Sequence, residues 1–472
     1  MLIQGASALL TGHAGAFARR DPRDGCDLRI ANGVIEAMGH LQPLPGEEVL
    51  DASDCVIYPG WVNTHHHLFQ SLLKGVPAGI DQPLTSWLSK LPVRYRRYFD
   101  TEAMFRLAAR VGLIELLRSG CTTVADHQYH YYPGMPFDAS AALFDEAEQL
   151  GMRMVLCRGG ATQARTIDVE PPREAAPETL DAFLAAIERD VGRFHQTGLR
   201  PMRQVVSAVT TPTWSTNPTA LREMARQARQ LGIRLHSHLS ETFDYLRFCQ
   251  EVHRCTPMQF VEANEWVGPD VWFAHMVHLD EAEIARCAAS GTGVAHCPQS
   301  NARLGSGIAP VAAMLAAGVP VSLAVDGAAS NEAADMISEA HACWLLHRAN
   351  PAALRPSFEA PSQPGGQAWA MSVDTVVHIG TQQGARIMGL DGVGTIEVGM
   401  AADLAIYRLD DPRYCGQHDL AIAPVAAGGS PDLKAVLING RVCLRDNDIP
   451  GVDLQRLAAQ SRAAVRTMLE GQ

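Results

Sequence analysis

From residue 56 onward the chain repeats one unit, a short run rich in branched and aromatic residues followed by a longer amphipathic stretch. The short runs fall at 56–62, 121–126, 153–158, 203–210, 233–239, 271–277, 292–297 and 319–326, and each reads as a buried strand. The stretches between them, such as EAMFRLAARVGLIELLRSG (102–120), ASAALFDEAEQLG (139–151) and DEAEIARCAASG (280–291), carry apolar residues at helical spacing. Several close on the glycine that suits a helix C-terminus. Eight strand-then-helix units predict an α/β chain folded as a (β/α)8 TIM barrel. A doubly wound open sheet is the alternative, but no G-x-G-x-x-G follows the first strand.

The two ends of the chain read differently. Residues 1–58 and 393–472 hold short strand patterns separated by Gly and Asn turns, as in LRIANGVIEAMG (28–39) and LKAVLINGRVCLRD (433–446). They predict a small composite β domain built from both termini, with a terminal helix and with the barrel at 59–392 inserted between its halves. Two proline-rich stretches, 166–178 and 350–367, read as long loops, either lids or surface insertions.

A formal net charge of −12, with lysine only at 74, 90 and 434, argues against a nucleic-acid or anionic-membrane surface. The most apolar long stretch, 308–325, is broken by Pro310, Gly318 and Pro320, so no membrane span is expected. The 11 cysteines include no C-x-x-C pair, and the N-terminus runs straight into a strand pattern with no signal peptide. Free thiols in a reducing cytoplasm are the expectation.

Polar residues sit at the C-terminal ends of the expected strands, where a (β/α)8 barrel carries its chemistry. Asn63-Thr64-His65-His66-His67 ends the first. Side chains alternate along a strand, so His65 and His67 share one face and His66 takes the other. His238 and Glu241 end the fifth strand, His275 the sixth and Asp326 the eighth. Taken singly, each has a plain structural explanation, since His236 and His278 read as core residues and an Asp after a strand often caps a helix. Four coincident strand ends point to a metal site.

The stretches PGWVNTHHHL, HSHLSET, AHMVHL, AHCPQSNARL, AVDGAASNE and VGTIEVGMAADLAIYRLDD occur in this order. Together they resemble the amidohydrolase superfamily, in the branch of guanine, adenosine-type, triazine and pterin aminohydrolases. The resemblance covers nearly the whole chain. It implies a single divalent metal held by His65, His67, His238 and Asp326, with Glu241 and His275 as proton-handling partners. Members with two metals bridge them through a lysine on the fourth strand, and RQVVSAVTTPTW (203–214) has none, so one metal is expected.

Neutral imidazoles and a carboxylate suit Zn2+, with Fe2+ possible, and a position left open lowers the pKa of bound water toward about 7. Deamination of a ring carbon then needs three proton-handling groups. Asp326 is placed to accept the proton of water, Glu241 to protonate the ring nitrogen and His275 to hold and polarise the attacking oxygen.

Within the branch, CTTVADHQYHYYPGMPFDAS, LCRGGATQAR and DGAASNEAADMISEAH resemble isoxanthopterin deaminases, and HHHLFQ is shared with 8-oxoguanine deaminases. Both act on flat oxo-amino bicycles. Gln70 has the donor and acceptor to match an amide edge, and Arg158 could pair with a ring oxygen. Trp87, His127, Tyr129 and His130, on the loops after the first two strands, could stack on or bound the ring, or could pack the rim. The expected partners are a small heterocyclic substrate and water, with no nucleic acid and no membrane, in a homo-oligomer. A barrel that only binds metal, or one that hydrolyses a C–Cl or cyclic amide bond, stays open as an alternative.

Overall fold

The computed structural model describes residues 1–164, 176–349 and 371–471. The proline-rich stretches expected to form loops lie outside these residues, apart from 176–178.

Eight parallel strands form one sheet in sequential order: Trp61–His66, Cys121–Gln128, Arg153–Arg158, Arg203–Ala208, Leu235–Leu239, Val271–His275, Gly293–His296 and Val321–Leu323. The last strand returns to the first. Asp326 N donates to His65 O at 3.1 Å, and Thr64 Oγ1 donates to Leu323 O at 3.1 Å. This is the barrel that the strand–helix alternation predicts. Its strands are buried almost throughout because parallel strands inside a ring of helices are covered on both faces. Helices Glu102–Leu117, Ala139–Leu150, Leu180–Phe194, Pro218–Gln230 and Glu281–Ser290 follow strands and turn their apolar stripes inward. Gly151 and Gly291 end two of them in the left-handed conformation, at φ 74° and 73°.

Strands from both ends of the chain make two further sheets. One orders Val34–Gly39, Asp27–Ala31, Leu2–Gln4 and Val49–Asp51. The other orders Arg441–Arg445, Leu433–Ile438, Leu404–Arg408, Cys55–Pro59 and Ala8–Leu9. Buried polar contacts fasten this β layer to the barrel: Arg153 pairs with Asp403, and Trp61 Nε1 donates to the Tyr407 hydroxyl at 2.8 Å.

One expected strand needs correction. The run 56–62 is two strands, not one: Cys55–Pro59 belongs to the small β layer, and the barrel begins at Trp61. Gly60 makes the crossing. Its N–H donates to Asp403 O at 2.8 Å, and a Cβ there would lie 2.1 Å from Thr122 Cγ2. The hydrophobic pattern is continuous across the break because both strands are buried, so periodicity alone cannot place it. His65 and His66 therefore lie inside the first barrel strand, and His67 is the residue just after it.

Candidate active site

Three strand ends deliver the cluster. His65 Nε2 lies 3.3 Å and His67 Nε2 3.2 Å from Asp326 Oδ1, and His67 Nε2 lies 3.1 Å from His238 Nε2. All four residues are at least nine-tenths buried. The other ring nitrogen of each histidine is committed elsewhere. His67 Nδ1 meets His127 O at 2.7 Å and His238 Nδ1 meets Thr210 O at 2.5 Å, and a carbonyl only accepts, so both Nδ1 atoms carry the proton.

His65 follows by one more link. His236 Nδ1 donates to Trp272 O at 2.9 Å, which leaves the Nε2 of a neutral His236 as an acceptor for His65 Nδ1 at 2.8 Å. His65 and His67 thus turn Nε2 toward Asp326 Oδ1, and His238 turns its Nε2 toward that of His67. The other carboxylate oxygen, Oδ2, accepts from Ser300 Oγ at 2.6 Å and Ser330 Oγ at 3.0 Å. These donors, with their outer atoms fixed by hydrogen bonds, suit a divalent ion: His65, His67 and His238 converge together with His127, and His65 and His238 with His275 and Asp326.

His66 points away, as strand alternation requires. Its Nδ1 donates to the backbone carbonyl of Asp326, so it braces a ligand's backbone and does not join the cluster.

Burial drives the His65 and His238 rings well below the ordinary histidine range, which keeps them neutral and able to ligate. Burial also opposes charge on His67, but the Asp326 carboxylate outweighs it and raises that ring. Burial pushes Asp326 up, and its contacts with His65 and His67 more than reverse this, leaving it well below the usual carboxylate range.

Glu241 and His275 stand beside the cluster, with Oε2 and Nε2 3.7 Å apart. His275 Nδ1 faces Asn301 Oδ1 at 2.9 Å, so that nitrogen donates and the Nε2 lone pair faces Glu241. Glu241 Oε1 is buried with no protein partner, and desolvation raises the carboxyl to about 7. Ser240, His275 and Asp326 hold left-handed backbone at φ 48°, 75° and 61°. That conformation costs about 1 kcal/mol or more for a residue with a Cβ, and such strain concentrates at functional sites.

Above the cluster opens a cavity of about 400 Å³, enough for a small bicyclic ring. Gln70, Trp87, Tyr129 and His130 line it. Gln70 Nε2 donates to the Tyr129 hydroxyl at 2.8 Å, while Gln70 Oε1 is buried with no protein partner. Trp87 Nε1 donates to Ala329 O at 3.2 Å, and His130 Nε2 lies 3.1 Å from Asp100 Oδ1.

Two expected substrate contacts are placed otherwise. His127 lies within the second barrel strand, not on the loop after it, and stacks on His238 at 4.7 Å outside the cavity lining. Arg158 also lies outside the lining. It forms a two-point ion pair with Glu178 at 2.6 and 2.7 Å, and packs 4.0 Å from the Tyr131 ring. Its partner comes from a segment twenty residues downstream that sequence gave no reason to bring back. Glu178→Ala is expected to lower stability by about 3 kcal/mol, because it strands a buried charge, while leaving KM nearly unchanged. Thermal unfolding alongside steady-state kinetics checks both halves.

The sequence reading did not single out Arg96, Trp214 or Tyr245, which complete the cavity wall. Nor did it assign Ser300 and Asn301, although both stand in the AHCPQSNARL stretch. Arg96 sits in VRYRRYF (93–99), a basic run with no motif to mark it.

The sequence profile of the amidohydrolase family matches residues 56–443. The chain belongs to the amidohydrolase family. An isoxanthopterin deaminase from an unknown prokaryotic organism is 56% identical over 99% of this chain and 97% of its own length. An 8-oxoguanine deaminase from Pseudomonas aeruginosa is 36% identical over 93% of each chain. Among solved structures, atrazine chlorohydrolase from Arthrobacter aurescens TC1 complexed with zinc superposes with a TM-score of 0.87 at 25% identity. That match covers 98% of this chain and 99% of the other. Among the described residues, no helix of this amidohydrolase is long and apolar enough to cross a membrane.

Proposed function

We propose that this amidohydrolase is a divalent-metal-dependent deaminase that hydrolyses the amino group of isoxanthopterin to give a 7-oxo-lumazine product and ammonia. The identity of 56% along nearly the full length of an isoxanthopterin deaminase carries the reading. His65, His67, His238 and Asp326 are the proposed ligands, with zinc as the ion, and Fe2+ as one the same donors accept. A divalent ion in this set supplies Lewis acidity, making hydroxide available near neutral pH.

The chain's own groups do the rest. Asp326 takes the proton of the attacking water through Oδ1 while Ser300 and Ser330 hold Oδ2. His275, its tautomer set by Asn301, accepts a hydrogen bond from the attacking oxygen through Nε2. Glu241, raised to about 7 by burial, is substantially protonated at neutral pH and donates to the ring nitrogen next to the amino-bearing carbon. The proton held by Asp326 passes to the leaving amine; as the C–N bond breaks and ammonia departs, the new hydroxyl becomes the carbonyl and its proton returns to Glu241.

Gln70 Oε1 supplies an acceptor for the N–H of the ring's amide edge. Gly327 protects that position, since a Cβ there would lie 2.1 Å from Oε1. With Arg158 held by Glu178, Arg96 on the cavity wall takes the ring-oxygen role in this reading. A purely structural metal would not need Glu241 and His275 beside it, which speaks against an idle binding barrel.

Comparison of kcat/KM for isoxanthopterin, 8-oxoguanine, adenosine and a chlorotriazine tests the substrate. Isoxanthopterin is expected to lead, with 8-oxoguanine behind it by a small factor because the amide edge is shared. Adenosine and the chlorotriazine should fall by about 10⁴-fold, since both leave buried polar groups unmatched. A preference for 8-oxoguanine would move the assignment to the purine.

A further inference from the structure

Helix Met336–Ala349 carries a buried stripe that the reaction does not use. Glu339, Cys343 and His347 recur every fourth residue on its inward face and are 0%, 0% and 4% exposed. Apolar residues ordinarily fill such positions, because a polar group buried without adequate partners is costly. Glu339 is accounted for: it accepts from Gln299 N at 2.9 Å and Gln299 Nε2 at 2.6 Å. Cys343 and His347 face instead His296, the last residue of the seventh barrel strand.

His347 Nε2 and His296 Nε2 are 3.0 Å apart, and one ligand atom from each of His296, Cys343 and His347 lies within 4.8 Å of the others. None of the three lines the catalytic cavity. We propose that His296, Cys343 and His347 form a second metal-binding centre, distinct from the catalytic cluster, that takes a borderline-soft divalent cation of the zinc class.

The donor chemistry supports this. One thiolate and two imidazoles match a three-ligand zinc site with an open fourth position. Two imidazole nitrogens bound tetrahedrally to one zinc stand roughly 3.4 Å apart, so the observed pair needs only a small separation. Burial holds His296 well below the ordinary range and His347 at about 4, which keeps both rings neutral as ligation requires. Burial pushes the Cys343 thiol up, so it stays protonated until a metal binds and displaces that proton to solvent.

Cobalt reports the site separately, because the catalytic donors are all nitrogen and oxygen while this centre contributes sulfur. The full-length protein, stripped of metal and titrated with Co2+ to saturation, is expected to develop the near-ultraviolet thiolate-to-cobalt absorption. Cys343→Ala should abolish that absorption while still binding cobalt at the catalytic cluster, and His347→Phe should weaken it strongly. Absence of the band in the unsubstituted protein, or a band of equal strength in Cys343→Ala, overturns the proposal. His296 and His347 would then be joined by a plain N–H···N hydrogen bond, with Cys343 acting as a small apolar side chain.

Discussion

Glu241→Gln is expected to lower kcat by about 10²–10⁴-fold while leaving the metal content unchanged. The amide keeps the shape of the carboxyl but has no transferable proton. Glu241 lies in the turn after the fifth strand, 3.7 Å from His275 Nε2, and none of the cluster contacts runs through it. The sign of the pH dependence follows from burial. A group that acts as an acid must be protonated, and desolvation lifts this carboxyl to about 7. Activity should therefore hold below neutrality, down to the pH where other groups titrate, and decline as pH rises through about 7. In Glu241→Gln the residual rate should lack that alkaline limb. A variant that turned over at the unsubstituted rate, or kept the same limb, would place the proton donor elsewhere.

His238→Ala is expected to lose the catalytic metal along with activity, and His65→Ala and His67→Ala likewise. Removing only the group that orients a ligand typically costs 10–100-fold in metal affinity, and removing the ligand itself should cost more. His66→Ala is the informative contrast. Its ring faces away from the cluster and braces the Asp326 carbonyl, so the variant should retain metal at a modest loss of stability. Competition against a chromophoric chelator reads all four. If His66→Ala alone emptied the site, the side-chain alternation that places His65 and His67 together would be misassigned.

Much of the site was legible because a barrel projects chemistry from strand ends. Each strand is a short buried run, so a histidine or carboxylate at its C-terminal end or just past it stands out in sequence. His65, His67, His238, His275 and Asp326 came forward in this way, and alternation separated His66 from its neighbours. Features that depend on three-dimensional return were not legible. The break at Gly60 is hidden because the strands on both sides are buried. Arg158 ends a strand as a substrate-binding arginine would, but Glu178 comes back from a loop to claim it. His236 reads as a core residue and is one, yet it sets the tautomer of His65 through Trp272 O. Trp214, Tyr245 and Arg96 reach the cavity from separate segments, and no local pattern groups them.

The most direct test of the central claim follows isoxanthopterin in ¹⁸O-labelled water with the metal-loaded protein. The account predicts ammonia in step with substrate consumed, with one labelled oxygen entering the product at the carbon that lost nitrogen. It further predicts that both signals vanish in His238→Ala. No ammonia from isoxanthopterin or from 8-oxoguanine, with the metal site demonstrably filled, would contradict it.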